Sequence, residues 1–446
     1  MGPFRTTTAL ALICFGCPHC LARGEDPQRL NEVFPIGQQY HVSCRVELSG
    51  TLTLPPEKQG AASRELKVTG NSAIEYDERV LRISADGFVD KTLRLYRRID
   101  FQRQAGDQPQ EITIRPSVRR LVVLRRNNLE VPFSPDGPLT SAEMDLVRTD
   151  VFTPALNGLL SDKPVAPGDR WIGDRRAIQE LTDMERIDEG QVECRYDEIT
   201  VLAGRRLARI SFAGSVKGLN EDGPNRQQLD GYFFFDLEAR QTTYLSLSGI
   251  SFLLGPDGQP RGRVEGRFVL TKKAPIQLAD LSDTGLHGVT LEPNEENTLL
   301  LCEPPALGIR FTYPRRWHVS GIHGQQIALD EPGGNGILIT CEPSGKLPTA
   351  EQFMAESRDY LAKQKATVLR TGQPRRLAAP PRSLEQFALE VEMGGRREFL
   401  DYYIIGQAGG GATVAARLSL ADLDGLRREV GRIANSVQLQ KPGDNR

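Results

Sequence analysis

Tyr40-His41-Val42-Ser43-Cys44-Arg45-Val46-Glu47-Leu48 alternates apolar or aromatic residues with polar ones without a break. Successive side chains of a strand point to opposite faces. This stretch therefore predicts a half-buried β-strand with Tyr40, Val42, Cys44, Val46 and Leu48 inward and His41, Ser43, Arg45 and Glu47 outward. The period returns downstream, where Leu66, Val68, Ile74 and Tyr76 alternate with Lys67, Thr69 and Glu75. Further strands are predicted at 92–101, 111–115 and 121–124, the last turning back through Arg126-Asn127-Asn128.

The pattern changes over 136–185. Thr140-Ser141-Ala142-Glu143 has the spacing of a capping box and opens a helix, Pro154 interrupts the pattern, and 175–185 reads as helical. Strands then return. Val192, Cys194 and Tyr196 share one face, Ala208, Ile210, Phe212 and Val216 share the next, and 232–237, 243–254 and 263–270 complete a meander. Gly255-Pro256-Asp257-Gly258 is its strongest turn signal. Two strand-rich halves thus flank a helical connector, and the sequence leaves open whether they form one domain or two. A faint echo between Pro35-Ile36-Gly37-Gln38-Gln39-Tyr40 and Pro167-Gly168-Asp169-Arg170-Trp171 suggests internal duplication.

Residues 274–300 carry no period and are rich in Asp, Glu, Asn and Pro, which reads as a linker. Short strands follow at 308–313, 326–330 and 336–341, then a helix capped by Thr349-Ala350-Glu351-Gln352 and carrying Phe353, Tyr360 and Leu361. Strands at 366–369, 383–392, 397–405 and 413–418 precede a last helix from Ala421, which aligns Leu426, Val430, Ile433 and Val437 on one face. The expected fold class is α+β: an antiparallel β-rich N-terminal region of one or two curved sheets with a helical connector, followed by an α/β sandwich. The expected boundaries are 1–24 (signal peptide), 25–135 (first β-rich half), 136–275 (connector and second half), 276–303 (linker), 304–440 (α/β domain) and 441–446 (tail).

The signal rests on Arg5 ahead of Ala9-Leu10-Ala11-Leu12-Ile13-Cys14-Phe15-Gly16 and the small residues of Leu21-Ala22-Arg23-Gly24. That apolar run is too short to span a bilayer, which needs about 20 residues in a helix, and no later run comes close. An exported, periplasmic or secreted product with no membrane span is expected. Lipid anchoring at Cys17 or Cys20 is the lesser reading, because Cys14 and Cys17 stand where a Leu is usual. Cys17-Pro18-His19-Cys20 has redox spacing but lacks the strand and helix that such a site needs.

Four later cysteines are compatible with an oxidising compartment. Cys302 and Cys341 each end an apolar run and precede Glu-Pro, so a disulfide between neighbouring strand ends is conceivable; Cys44 and Cys194 read as buried thiols.

At 446 residues the chain suits about three structural units. The 56 Lys+Arg against 58 Asp+Glu leave a net charge of −2, with no basic excess to bind nucleic acid. Arginines outnumber lysines 45 to 11, but they are spread along the whole chain and imply no anionic ligand. Metal ligation would have to rely on His318 and His323 with Asp330, which read instead as solvent-facing loop residues. No Gly-x-Ser-x-Gly elbow, phosphate loop or EF-hand pattern is present; Gly406-Gln407-Ala408-Gly409-Gly410-Gly411 reads as a hairpin turn. His41 and His287 are poor candidates for a general base. The densest acidic group, Asp183, Glu185, Asp188, Glu189, Glu193, Asp197 and Glu198, reads as a solvated helix end and strand surface. No catalytic, cofactor-binding or metal-binding residue is assigned, and no cofactor is implied.

Phe311-Thr312-Tyr313-Pro314-Arg315-Arg316-Trp317, a strand meander and the closing Ile433-Ala434-Asn435-Ser436-Val437 together resemble the PsbP-like and DcrB-like α/β sandwich of exported bacterial and thylakoid proteins, over about residues 305–440. The resemblance implies an accessory or assembly module and transfers no catalytic residue. The β-rich part is similar, in pattern alone, to exported lipoprotein-carrier-like half-barrels, whose curved sheet wraps helices and sometimes an apolar ligand. The leading expectation is an exported non-catalytic binding or scaffold protein of the cell envelope with an envelope protein as partner. The alternative is a carrier of an apolar small molecule or lipid, motivated by Tyr232-Phe233-Phe234-Phe235. A secreted hydrolase with an undetected site is the third reading.

Overall fold

The computed structural model describes residues 26–54, 63–126, 129–343, 345–378 and 382–439. The expected signal segment, its Cys17 and Cys20, the turn residues Asn127 and Asn128, and the tail lie outside the described residues. Strands β1 (Gln39–Leu54), β2 (Arg64–Ile83), β3 (Val89–Ala105), β4 (Gln108–Thr113), β5 (Arg120–Arg126) and β6 (Leu129–Phe133) form the first half. The connector holds β7 (Leu139–Thr140), α1 (Ser141–Arg148), a 3-10 segment Thr153–Leu159, β8 (Arg170–Ile172) and α2 (Arg175–Thr182). The second half is the meander β9 (Arg186–Leu202), β10 (Arg205–Asn220), β11 (Gly223–Asp236), β12 (Gln241–Leu254) and β13 (Pro260–Lys273).

The two halves join into one antiparallel sheet of 12 strands, ordered β6-β5-β3-β2-β1-β13-β12-β11-β10-β9-β8 with β4 beside β3. The seam is the pairing of β1 with β13, which sets Val42 opposite Lys272 and Leu48 opposite Gly266. The alternation read from residues 40–48 holds at the first three inward positions, since Tyr40, Val42 and Cys44 are buried. They share an inner-face core with Tyr76, Tyr96, Phe212, Phe233 and the connector's Leu146, Phe152 and Ile178.

The connector is held by local chemistry. Thr140 accepts a hydrogen bond from Glu143 N–H while the Glu143 carboxylate accepts from Thr140 N–H, a complete capping box for α1. Asp174 caps α2 through the N–H of Arg176, and Asp183 ends it with a left-handed φ of 51°. The 276–303 segment lies against the outer face. Leu281 and Leu286 pack on Leu93, Val122 and Phe133, and Arg79–Asp283 and Lys91–Glu292 are ion pairs.

Beyond it, β14 (Leu300–Cys302) and β15 (Ile309–Tyr313) build a four-stranded sheet with β7 and the closing β24 (Gln438–Leu439). Because β7 belongs to the connector, this sheet ties the C-terminal region to the rest of the chain. Arg315 adds to that tie by donating to the carbonyls of Thr298 and Pro132 at 2.8 and 2.6 Å.

The remaining strands β16 (His318–His323), β17 (Gln326–Asp330), β18 (Gly336–Pro343), β19 (Thr367–Thr371), β20 (Arg375–Ala378), β21 (Ser383–Met393), β22 (Arg396–Gln407) and β23 (Gly410–Leu418) make an eight-stranded sheet. Helix α3 (Ala350–Lys363) covers one face through Phe353 against Phe387 and Tyr402. Helix α4 (Leu423–Ser436) buries Leu426, Val430 and Ile433 in the core that holds Tyr403, Ile405 and Val414 of the other face. The α+β class is thus observed, with β-strands predominant.

Two expectations need correction. His318 and His323 lie on strand β16, both exposed, rather than in a loop; Gly321 and an irregular register with β17 hid the strand's period. Cys302 and Cys341 are free buried thiols rather than a disulfide; their strands belong to different sheets, yet the two thiols lie near enough for Cys341 to help raise Cys302. Among the described residues no helix is long and apolar enough to cross a membrane.

Candidate functional site

The inner face of the large sheet is not filled along its whole length. Pairing aligns Gly70, Leu48, Gly266, Gly249, Leu229 and Gly214 in one row across β2, β1, β13, β12, β11 and β10. These positions share the inward face, so each glycine removes a side chain from it. At Gly249 a Cβ would meet nothing closer than 3.5 Å, and at Gly266 nothing closer than 3.8 Å. The space above these two glycines is therefore open. It forms a cavity of about 340 Å³ whose sheet side is mainly apolar, with Val46, Leu48, Ile74, Leu247, Val264 and Phe268, and also carries Gln227, Ser251 and Arg267.

The connector forms the other wall through Thr149, Asp150 and Val151 after α1, and Glu180, Leu181, Thr182 and Asp183 at the end of α2. Asp150 is held in place by a buried ionic network. Arg94, on the inner face of β3, donates from Nη1 to Asp150 Oδ2 and from Nε to Glu78 Oε1, both at 2.9 Å. Tyr96 donates to the same Asp150 oxygen at 3.0 Å, and the guanidinium lies 4.7 Å from the Tyr76 ring centroid. None of these side chains reaches solvent appreciably.

A second pair stands beside the first. Arg125 on β5 pairs with Glu180 at 2.8 Å, and Glu180 also accepts from Phe152 N–H at 2.5 Å. Glu130, opposite Arg125 in the β5–β6 ladder, buries both carboxyl oxygens without a hydrogen-bond partner, and Asp150 Oδ1 has none either. Burial pushes the Glu130 carboxyl up to about 8, with the Glu180 charge adding to the effect, and burial likewise pushes Asp150 up to about 7. Both carboxyls therefore give up their protons well above the ordinary carboxylate range.

The sequence singled out none of Glu78, Arg94, Arg125, Glu130, Asp150 or Glu180. Its acidic group is split by the fold. Asp183 and Glu185 line a cleft next to the cavity, whereas Asp188, Glu189, Glu193 and Asp197 pair with Arg186, Lys217, Arg170 and Arg209 on the surface. Tyr232-Phe233-Phe234-Phe235 does not reach the cavity: Phe233 and Phe235 are core residues, while Tyr232 and Phe234 cluster with Tyr244 on the other face. His41 lies on the outer face with Nδ1 2.9 Å from Asp77 Oδ1, and Arg97 shares Asp77. Cys44 and Cys194 are buried thiols. Among the described residues no cluster of His, Cys, Asp and Glu is arranged to hold a metal ion.

No protein-family model matches the chain, and no curated protein matches it in sequence. Solved structures show weak and partial likeness. Cyanobacterial PsbP (CyanoP) from Synechocystis sp. PCC 6803 is 16% identical over 32% of this chain and 92% of its own, with a TM-score of 0.25. The Ran-binding protein Mog1p of Saccharomyces cerevisiae is 8% identical over 32% of this chain and 96% of its own, at 0.26. Lipovitellin is 9% identical over 65% of this chain and 29% of its own, at 0.34. Scores this low make them distant structural neighbours and carry no functional argument.

Proposed function

We propose that the chain is an exported, non-catalytic binding protein that carries an apolar small molecule or lipid between its large sheet and its connector. The observation behind this reading is the cavity over Gly249 and Gly266. A glycine inside a strand costs roughly 0.5–1 kcal/mol relative to alanine. Two facing glycines with room for side chains are a stability cost that the backbone does not require, and a space kept for a ligand accounts for it. At about 340 Å³ the cavity falls at the small end of ligand sites, which span about 300–1,000 Å³. One chain or one ring system suits it.

The scaffold reading keeps one supporting observation: Val201 and Leu202, where β9 turns into β10, are 67% and 60% exposed, an apolar contact point for an envelope protein. The cavity gives the carrier reading a more specific basis. Its test is native mass spectrometry of protein purified from its own host, together with binding of the apolar dye N-phenyl-1-naphthylamine to the parent and to Gly249→Leu/Gly266→Leu. The expected result is a co-purified apolar mass or dye binding in the parent, lost in the variant while the circular dichroism spectrum is unchanged. A parent that retains no mass and binds no dye would end the carrier reading.

A further inference from the structure

The carrier cavity has a charged wall, and that wall constrains the chemistry of what enters. Thr149, Asp150, Val151, Glu180 and Asp183 line both the apolar cavity and an adjoining cleft of about 150 Å³. Seven carboxylates and two arginines line that cleft. Some of this charge is matched within the protein, Glu180 by Arg125 and Glu221 by Arg148. Three carboxyl oxygens are not: Oδ1 of Asp150, which is only 3% exposed, and Oε1 and Oε2 of Glu130. Buried polar atoms of native proteins normally have partners, so three unmatched acceptors next to an open cavity mark a place where a donor belongs.

We infer that the ligand is a cationic amphiphile, its single apolar chain over Gly249 and Gly266 and its protonated amine among Asp150, Glu130 and Glu180. An ammonium group brings three N–H donors and no acceptor. That inventory fits the unmatched oxygens, and its charge offsets the acidic excess. A carboxylate or phosphate head would add negative charge to a wall already rich in it, and a hydroxyl would supply one donor and no charge. This inference rests on the carrier reading and adds the head-group chemistry to it.

Three probes of equal chain length separate the possibilities: dodecylamine, dodecanol and dodecanoic acid, each titrated calorimetrically below its micelle concentration at low salt, into the parent and into Glu130→Gln. The expected result is binding of the amine about tenfold or more tighter than the alcohol, the range of one charge-assisted hydrogen bond, with the acid weakest. In Glu130→Gln the preference for amine over alcohol should fall by about tenfold. Salt should weaken the amine more than the alcohol. Acid binding as tight as amine, or a Glu130→Gln variant that keeps the full preference or weakens all three probes alike, would overturn the inference. Alcohol binding without amine preference would overturn it alone, whereas no binding by any probe would remove the carrier reading beneath it.

Discussion

Arg94 Nη1 lies 2.9 Å from Asp150 Oδ2, and neither side chain reaches solvent appreciably. One residue belongs to the sheet and the other to the connector, so this pair fixes the depth at which the connector sits over the cavity. Removing Arg94 strips the donor from two buried carboxyls, Asp150 and Glu78, and breaking a buried pair in this way typically costs about 3–5 kcal/mol. Arg94→Met should therefore lower the unfolding free energy by about that amount in urea titrations at pH 7. A loss below about 1 kcal/mol would mean that the network does not hold the connector.

Stability should fall as pH rises from acid toward pH 8. A carboxyl whose pKa is higher in the fold than in the unfolded chain keeps its proton in the fold and releases it on unfolding. Glu130, raised to about 8, and Asp150, raised to about 7, do this between the ordinary carboxyl range and those values. Each contributes a slope of up to about 1.4 kcal/mol per pH unit within its own window. Glu130→Gln removes one such group, so its urea midpoint should exceed the parent's at pH 8 and approach it at pH 4. An equal offset at both pH values would contradict the assignment.

The inner-face glycines should separate into two classes. At Gly214 a Cβ would lie 2.2 Å from the Gln191 carbonyl oxygen, and at Gly231 it would lie 2.4 Å from the Ser246 carbonyl oxygen and 2.6 Å from Phe212. Alanine at either site should cost about 1–3 kcal/mol through overpacking. Gly249→Ala and Gly266→Ala should each gain about 0.5–1 kcal/mol, because the space exists and the unfolded chain loses freedom. Thermal unfolding of the four variants measures both signs.

The four described cysteines should be inert in the folded protein. Burial pushes the Cys194 and Cys302 thiols up to about 12 and raises Cys44 and Cys341 as well, so little thiolate forms at pH 8. Native protein lacking residues 1–24 should show no rapid reaction with a disulfide reagent, and the denatured, unreduced protein should titrate four thiols. Two thiols instead of four would restore the Cys302–Cys341 bridge.

The sequence revealed what local chemistry encodes. Alternation located the long strands, and the Thr140–Glu143 and Thr349–Gln352 spacings located α1 and α3, because strand period and capping act within a few residues. The site was hidden for the opposite reason. Arg94, Glu130, Asp150 and Glu180 come from four separate stretches and look like ordinary surface charges until tertiary packing buries them together. The glycine row was hidden too, since Gly70, Gly214, Gly249 and Gly266 become neighbours only through the register of six strands. Register in turn depends on the β1–β13 seam, which no local pattern announces.

That seam also governs when the molecule can become complete. β1 is the first long strand to emerge from the ribosome, yet one of its two partners ends at Lys273. Until more than half of the chain has been made, Tyr40 to Leu54 offers an unsatisfied edge to any extended polypeptide nearby, the circumstance that invites aggregation. Early synthesis therefore leaves a substrate for chaperones, and the edge closes only once β13 has been made, coupling completion of the sheet beneath the cavity to the middle of translation.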